Sequence, residues 1–539
     1  MEEIHDYIVV GSGCTGAMAA QTLVEKGVKV TMLDVGYTDM KYKSILPPKD
    51  YISIRKTEQE QYKYLIGENF EGLYWGNARK QGEFTPPRKF MIQDTDKYIP
   101  YQSENLFPIE SLGYGGLGAG WGVGCCEFSK TELAEVGIDH NQMIPAYEIV
   151  AKRIGICGTK DDASPYTLGE LSKFQPSLKM DRNHRAIFEK YTSNKKQFNE
   201  QGFYMGRPAL AITTSKKEDR GEYRYRDMDF YSDADSSAYR PWMTIDKLKK
   251  SPDFSYIDKC LVLRFEEKED HIQVECLSTD TNEKRSFYCK KLILASGVLG
   301  TSRIVLRSFN AYDTELPFLC NPYCYVPCIQ PSMLGKQVEK EKVGFAQLSL
   351  FLDENKNNMD VTMASIYSYH SLMLFRIIKE SSLNFSDSRI LMRYLMPAFI
   401  ILGIHHPERK RAGKTVKLSK SDSTITKDIL VTDYTLTNEE LEKVKLNEQK
   451  YIRAMRKMGV YALKRIDPGM GSSIHYAGTL PFSTEDKKFT LHPNGKLNGT
   501  KKVFVADGSG FNYLPAKGLT FSLMANAHRT ALNVIENAG

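Results

Sequence analysis

Apolar residues fall along this chain in short unbroken runs and in stretches of helical period, separated by long polar tracts. Ile8, Val9 and Val10 form an apolar strand, Met18 to Glu25 reads as a helix, and Val28 to Leu33 is a second strand ending at Asp34. Met143 to Ile154 has the period of an amphipathic helix. Residues 257–276 and 287–295 turn to strand patterns. Within the second of these, an apolar strand from Leu292 to Ala295, a glycine turn at Gly297 and a helix from about Thr301 repeat the strand–turn–helix layout of the N-terminus. Residues 310–435 contain alternating stretches, FAQLSLFLD and DVTMASIYSY among them, that predict a sheet. A strong helix covers 437–460: Thr437 is its N-cap, Glu440 completes a capping box, and Gly459 stands near its end. Residues 160–250 are polar and irregular. Residues 40–105 lack clear periodicity and are punctuated by Pro47-Pro48 and Pro86-Pro87, which reads as a long excursion covering a ligand site.

At 539 residues the chain has room for about two or three domains around a large core. Its 41% hydrophobic and 26% charged residues place it among soluble globular proteins. The net charge of +7 is modest for this length and no basic, aromatic-interleaved stripe accompanies it, so nucleic acid is not an expected partner. The ten cysteines are scattered and no secretory signal precedes the first strand, so reduced thiols and a cytoplasmic location are expected. Cys320, Cys324 and Cys328 would share one face of a strand. With no fourth ligand nearby they read as packing residues rather than a metal site, as do Cys125 and Cys126. Residues 390–404, ILMRYLMPAFIILGI, are shorter than the about 20 apolar residues of a membrane span and contain Arg393 and Pro397. A buried helix leading into a strand is the favoured reading. A surface helix dipping into lipid beside the basic HHPERKR run is the other, so membrane-surface contact is not favoured.

Candidate chemistry concentrates at the two ends. Gly11, Gly13 and Gly16 form G-x-G-x-x-G between the first strand and helix. In that setting glycines allow a tight turn, close approach of backbone to a pyrophosphate and close helix–strand packing. The helix N-terminus favours an anion, and Asp34, about 20 residues on, can accept from a ribose hydroxyl. A bare structural turn is the competing reading, and the motif alone does not separate FAD from NAD. Residues 111–128 hold a second glycine run, from Gly113 to Gly124, with Leu117 and Trp121 embedded in it. Such a run brings backbone N–H groups up to a ligand. Near the C-terminus come a histidine before a glycine in IHYAGT, a strand ending in Asp-Gly-Ser, and a helix.

These motifs resemble the glucose–methanol–choline oxidoreductases, FAD-dependent alcohol-oxidising flavoproteins. The resemblance is carried by VVGSGCTGAMAA with LDVG, by GGLGAGWG, KKLILASGVLGTSR and HYAGT, and by VADGSGFNYLPAKGLTFSLMANAHRTA. The WG pair is closer to the family's bacterial branch than to its fungal sugar oxidases. The resemblance covers the cofactor domain well and residues 160–250 and 310–460 loosely. It implies an α/β fold, α+β overall. A Rossmann-like FAD-binding domain (1–160, 251–309 and 470–539, with 40–105 as the covering excursion) would be interwoven with a substrate domain (161–250 and 310–469) on a mostly antiparallel sheet.

The resemblance further implies that Gly11, Gly13 and Gly16 hold the pyrophosphate and Asp34 the adenosine ribose, although the family usually has Glu there. Gly115, Gly116, Gly118, Gly120, Trp121 and Gly122 would run along the flavin. Val262 would contact adenine through its backbone, Ala295 and Gly297 would join the cofactor wall, and Asp507 and Gly508 would approach the pyrophosphate and the ring. Gly120 stands where some members link a histidine to the flavin, so non-covalent FAD is expected. The implied activity is oxidation of a CH–OH group on a small hydroxylated substrate (a sugar, sugar conjugate or polyol). Hydride would pass to flavin N5 while His475 takes the alcohol proton. The sequence does not specify the electron acceptor. The family's second His or Asn opens the final helix, where this chain has Lys517 or Gly518. Lys517 would either donate to the alkoxide or face solvent; Asn512 and Asn526 are nearby amides, and His528 reads as structural. The missing group leaves open a flavoprotein of the same fold with non-redox, lyase-like or altered chemistry. A non-catalytic FAD-binding partner protein is the third reading.

Overall fold

The computed structural model describes residues 3–69, 84–368 and 382–536. Residues 70–83 of the 40–105 excursion and 369–381 of the 310–435 region lie outside the described residues. The chain is mixed α/β and is organised on two main sheets.

Distant parts of the sequence meet in the first sheet. The strand Ile4–Val10 pairs in parallel with Val30–Leu33 on one side and with Lys284–Leu294 on the other. Phe254–Ile257 extends the first edge in parallel, and Val503–Val505 pairs in parallel with Lys284–Leu294. The far half of Lys284–Leu294 turns to antiparallel pairing with Ile272–Ser278, which pairs with Cys260–Glu267. Strands covered on both faces must be apolar throughout, and Ile8, Val9, Leu292, Ile293, Leu294 and Val503–Val505 are sealed from solvent. Each such side chain contributes about 1.5–3 kcal/mol by burial. The helices Cys14–Glu25, His140–Ile154 and Thr520–Glu536 pack on one another beside this sheet.

The second sheet has six strands, all antiparallel, in the spatial order Tyr461–Ala462, Tyr323–Ile329, Phe399–His405, Thr362–Ser368, Leu348–Leu352, Phe203–Gly206. Its alternation decides what faces what. Cys324, Val326, Leu402, Ile404, Ala364 and Leu350 point to one side and pack under the helices Arg182–Ser193 and Asn438–Lys457. The opposite face carries Tyr323, His405 and Met363 in one cross-strand row, and Gly403, Ser365 and Ser349 in the next.

Several sequence expectations are revised. The polar 160–250 tract holds helices Arg182–Ser193, Lys195–Glu200 and Pro241–Leu248, the first capped by the Asp181 carboxylate. Polar outward faces hid them from a hydrophobicity reading. The segment 390–404 is a strand, Phe399–His405, preceded by a helix, Phe385–Leu395, that is not buried. Ile390 and Tyr394 are 65% and 54% exposed, while Met392 packs inward with Tyr325, Ile329 and Tyr367. Cys320 does not share a strand with Cys324 and Cys328, because Asn321-Pro322 breaks the chain between them; it sits on the separate short strand Leu319–Cys320. Among the described residues no His, Cys, Asp or Glu cluster could hold a metal ion. No described helix is long and apolar enough to cross a membrane. The helix at 437–460 forms as expected, with both halves of its Thr437–Glu440 capping box made.

Candidate active site

A cavity of about 470 Å³ is walled by residues of both sheets and of the C-terminal segment. Its construction starts with the first glycine motif. Gly11 adopts φ +98°, and a Cβ there would lie 2.7 Å from the Ala295 carbonyl oxygen. A Cβ on Gly16 would lie 1.9 Å from the Gly11 carbonyl oxygen. These two glycines let the first strand, the first helix and Ala295 close on one another. Gly13 and Gly297, which line the cavity, have nothing within 4 Å of the position a Cβ would take. The space beside them is open to a ligand.

The helices Cys14–Glu25 and Val298–Ser308 begin at Gly13 and Gly297 with no side-chain cap and no acidic residue in the first turn. Thr520, the first residue of Thr520–Glu536, lines the same cavity. Three helix N-termini thus turn their positive dipole ends to one space, two of them with no side-chain cap, an arrangement suited to a diphosphate. The Asp34 carboxylate accepts from Ser12 Oγ and from the Tyr256 hydroxyl at 2.9 Å, and burial pushes it up to about 6. Val262 reaches the same end of the cavity, because the Cys260 N–H donates to the Asp34 carbonyl at 2.9 Å. Asp507 is held by the Ser509 N–H at 3.0 Å and by Thr301 Oγ1 at 2.5 Å, with Gly508 beside it in the wall. Gly116, Gly118, Gly120, Trp121 and Gly122 also line the cavity. Gly16 and Gly115 are not among its lining residues: Gly16 packs behind Gly11, and the Gly115 N–H donates to Ser12 Oγ at 2.9 Å.

At the other end stands His475. Its Nδ1 lies 3.0 Å from Asn321 Oδ1. The Asn321 amide nitrogen faces three carbonyls, donating to His406 O at 2.7 Å and to Leu514 O and Pro515 O at 3.3 Å. That pattern fixes the amide orientation, so Oδ1 must accept, and Nδ1 of His475 carries the hydrogen. Nε2 keeps its lone pair and is the nitrogen left for a ligand. Burial lowers His475 to about 4, so the ring is neutral near pH 7.

His405 is a residue that sequence reasoning missed. Its ring stacks on that of His475, with centroids 5.0 Å apart and planes at 23°, and it lines the same cavity. Tyr323 covers its other side at 4.4 Å. Burial and the neighbouring His475 and His406 hold His405 well below the ordinary imidazole range. The signal for it was faint: in FIILGIHH, Gly403 and His405 interrupt one face of an otherwise apolar strand.

Lys517 does not reach the cavity. Ala516 and Gly518 line it, but Lys517 between them is not among the lining residues. Lys517 Nζ donates to Glu132 Oε2 at 2.7 Å, and both groups are sealed from solvent. The expectation of a catalytic lysine is therefore replaced by a buried structural ion pair. Asn512 donates to the Phe482 carbonyl, Asn526 accepts from Arg529, and His528 Nδ1 meets Thr22 Oγ1 at 2.7 Å, all outside the cavity lining.

No protein-family model matches the sequence. One characterised relative, the 6'''-hydroxyparomomycin C oxidase of Streptomyces lividus, is 20% identical over 560 residues, spanning 98% of this chain and 91% of the relative. Among solved structures, pyridoxine 4-oxidase from Mesorbium loti superimposes with a TM-score of 0.59 at 12% identity, covering 99% of both chains. A formate oxidase of Aspergillus oryzae RIB40, a protein with an FAD modification, gives a TM-score of 0.62 at 11% identity over 100% of this chain and 99% of that one. Over its full length, then, the chain has the fold of these oxidases.

Proposed function

We propose that this chain is an FAD-dependent oxidoreductase of the glucose–methanol–choline type that oxidises a CH–OH group, with His475 as the base. The observation that carries the reading is the convergence of two uncapped helix N-termini, the start of a third helix and a tautomer-fixed histidine on one cavity. The residues present fit the cofactor. Gly13 and Gly297 leave the space a diphosphate needs, Asp34 offers a carboxylate for a ribose, and the Gly116–Gly122 run offers backbone. FAD bound there would supply the hydride acceptor. The chain's own part is to take a proton. The alcohol oxygen gives its proton to His475 Nε2, the carbinol carbon gives up a hydride, and a carbonyl compound is left. His405 stands where it can donate to or orient the same oxygen, so a second imidazole comes from the six-stranded sheet rather than from the final helix. The lyase-like alternative rests on the lack of a second group beside His475, and the His405 imidazole next to that ring weighs against it. A sugar, sugar conjugate or polyol would present the required hydroxyl. The names of the relatives as oxidases support molecular oxygen as the final electron acceptor, reduced to hydrogen peroxide.

The test is the absorbance spectrum of the purified protein before and after acid precipitation, followed by anaerobic addition of alcohols. Yellow colour released to the supernatant, bleached by an alcohol in the parent protein and not in His475→Ala, is the expected result. A protein that takes up no FAD would falsify the reading.

A further inference from the structure

Among the described residues, the catalytic end of the cavity carries no formal charge. Around the two imidazoles, themselves neutral, the described wall includes Leu210, Ala346, Ser349, Met363 and Ser365. Every charged side chain in the lining belongs to the opposite, nucleotide-facing end or to a closed pair. Arg303 is bound to Glu110 at 2.6 Å, and Arg307 to Asp428 at 2.6 Å. Asp34 and Asp507 are engaged as described above. On the same sheet face, Asp161 sits over Gly206 outside the lining, its two oxygens taken by the N–H groups of Ala163 and Arg207. Behind the wall, Lys517 and Glu132 neutralise each other.

Two hydroxyls of the six-stranded sheet line the cavity. Ser365 is half-buried and lies in the cross-strand row between Gly403 and Ser349, next to the row of His405 and Met363. Ser349 is sealed, and its hydroxyl has no hydrogen-bond partner among the described residues. A sealed hydroxyl without a partner is costly unless something bound supplies one, directly or through Ser365. An ammonium or carboxylate brought to this end would lose its water and find no counter-charge among the described residues.

We infer that the site selects an uncharged alcohol, and that Ser365, backed by Ser349, reads a second neutral hydroxyl on it. The inference rests on the redox reading above and narrows its substrate class. Its test uses the FAD-loaded protein and three chains of equal length with functional groups at both ends: pentanediol, aminopentanol and hydroxypentanoate. Two readouts are taken, the anaerobic bleaching rate and the ligand-induced shift in melting temperature. The expected result is bleaching and a thermal shift with the diol, and kcat/KM on the order of 100-fold lower for the two charged compounds. Comparable rates or shifts for all three overturn the inference, as does a shift with none. A shift confined to the diol without bleaching upholds the selectivity and sinks the redox reading instead. Ser365→Asp should raise the aminopentanol rate relative to the diol. If that variant does not fold, Ser365→Ala should bring the diol's kcat/KM down toward that of pentanol. An unchanged diol-to-pentanol ratio overturns the role of Ser365.

Discussion

Asn321 controls His475 through one oxygen atom, and its own nitrogen is pinned by three carbonyls, so the control cannot be relaxed by an amide flip. Asn321→Leu should therefore lower kcat about 10–100-fold with little change in KM, the scale seen when a supporting partner of a functional histidine is lost. Steady-state kinetics of the variant check this. Asn321→Asp should act differently: a carboxylate at Nδ1 favours the imidazolium and raises the histidine's pKa. The sign for the parent protein is set by burial. His475 is held at about 4, below the ordinary 6.5, so the neutral base persists as pH falls. The kcat/KM profile should stay flat down to about pH 5 and halve near 4, whereas in Asn321→Asp the acid limb should move upward by at least about one unit. A parent profile that halves near 6.5 would count against the burial argument. For stability the same depression means that the folded state binds fewer protons than the unfolded chain. The contribution of His475, and of His528 with its similar value, is intact above pH 6.5 and is lost as pH falls toward 4.

Elements whose ends are written locally were the legible ones. The 437–460 helix announces itself by Thr437 and Glu440, and Thr437→Ala should cost about 1 kcal/mol, read from urea unfolding. The strand–glycine–helix units at Gly11 and Gly297 were legible for the same reason: the turn, the strand and the helix start within a few residues of one another. Lys517 was misread because its partner belongs to another element. Glu132 lies in the helix Lys130–Val136, where it completes a capping box with Ser129 and also receives Lys517. No spacing along the sequence encodes a contact across nearly four hundred positions. Replacing one member, as in Lys517→Met, leaves Glu132 charged and buried, and should cost about 3–5 kcal/mol. The double variant Lys517→Met with Glu132→Gln should recover a large part of that. Denaturant midpoints of the two proteins decide; equal losses would mean that the pair is not a coupled unit.

Across the whole molecule, the half of the cavity built for an anionic ligand could be read from the chain, whereas of the half that decides the chemistry only His475 could. Backbone geometry at glycines leaves a mark in sequence, since few other residues substitute. His405 and Ser365 leave almost none: they come from separate strands that antiparallel pairing and alternation bring to one face, and Asn321 reaches His475 from the segment just before Tyr323–Ile329. The same assembly ties ligand binding to folding. Residues near 11, 115, 297, 475 and 508 share one cavity wall or the layer behind it, so a ligand there holds together segments that unfold apart. FAD should raise the melting temperature in a concentration-dependent way, by about 2.7 kcal/mol of stabilisation at a hundredfold excess over Kd. Differential scanning fluorimetry with and without added FAD measures it.

The parallel pairing of Val503–Val505 with Lys284–Leu294 also has a consequence for how the chain is made. Polypeptides emerge at about 5–20 residues per second, so the strand Lys284–Leu294 precedes its partner Val503–Val505 by roughly 10–40 s. During that interval Lys284–Leu294 lacks one neighbour and presents an open, apolar edge in the cell. A ribosome that stalls or stops early would release a product with most of the residues, an incomplete ligand clamp and an exposed strand. Such a product is suited to aggregation or to a protease rather than to partial activity.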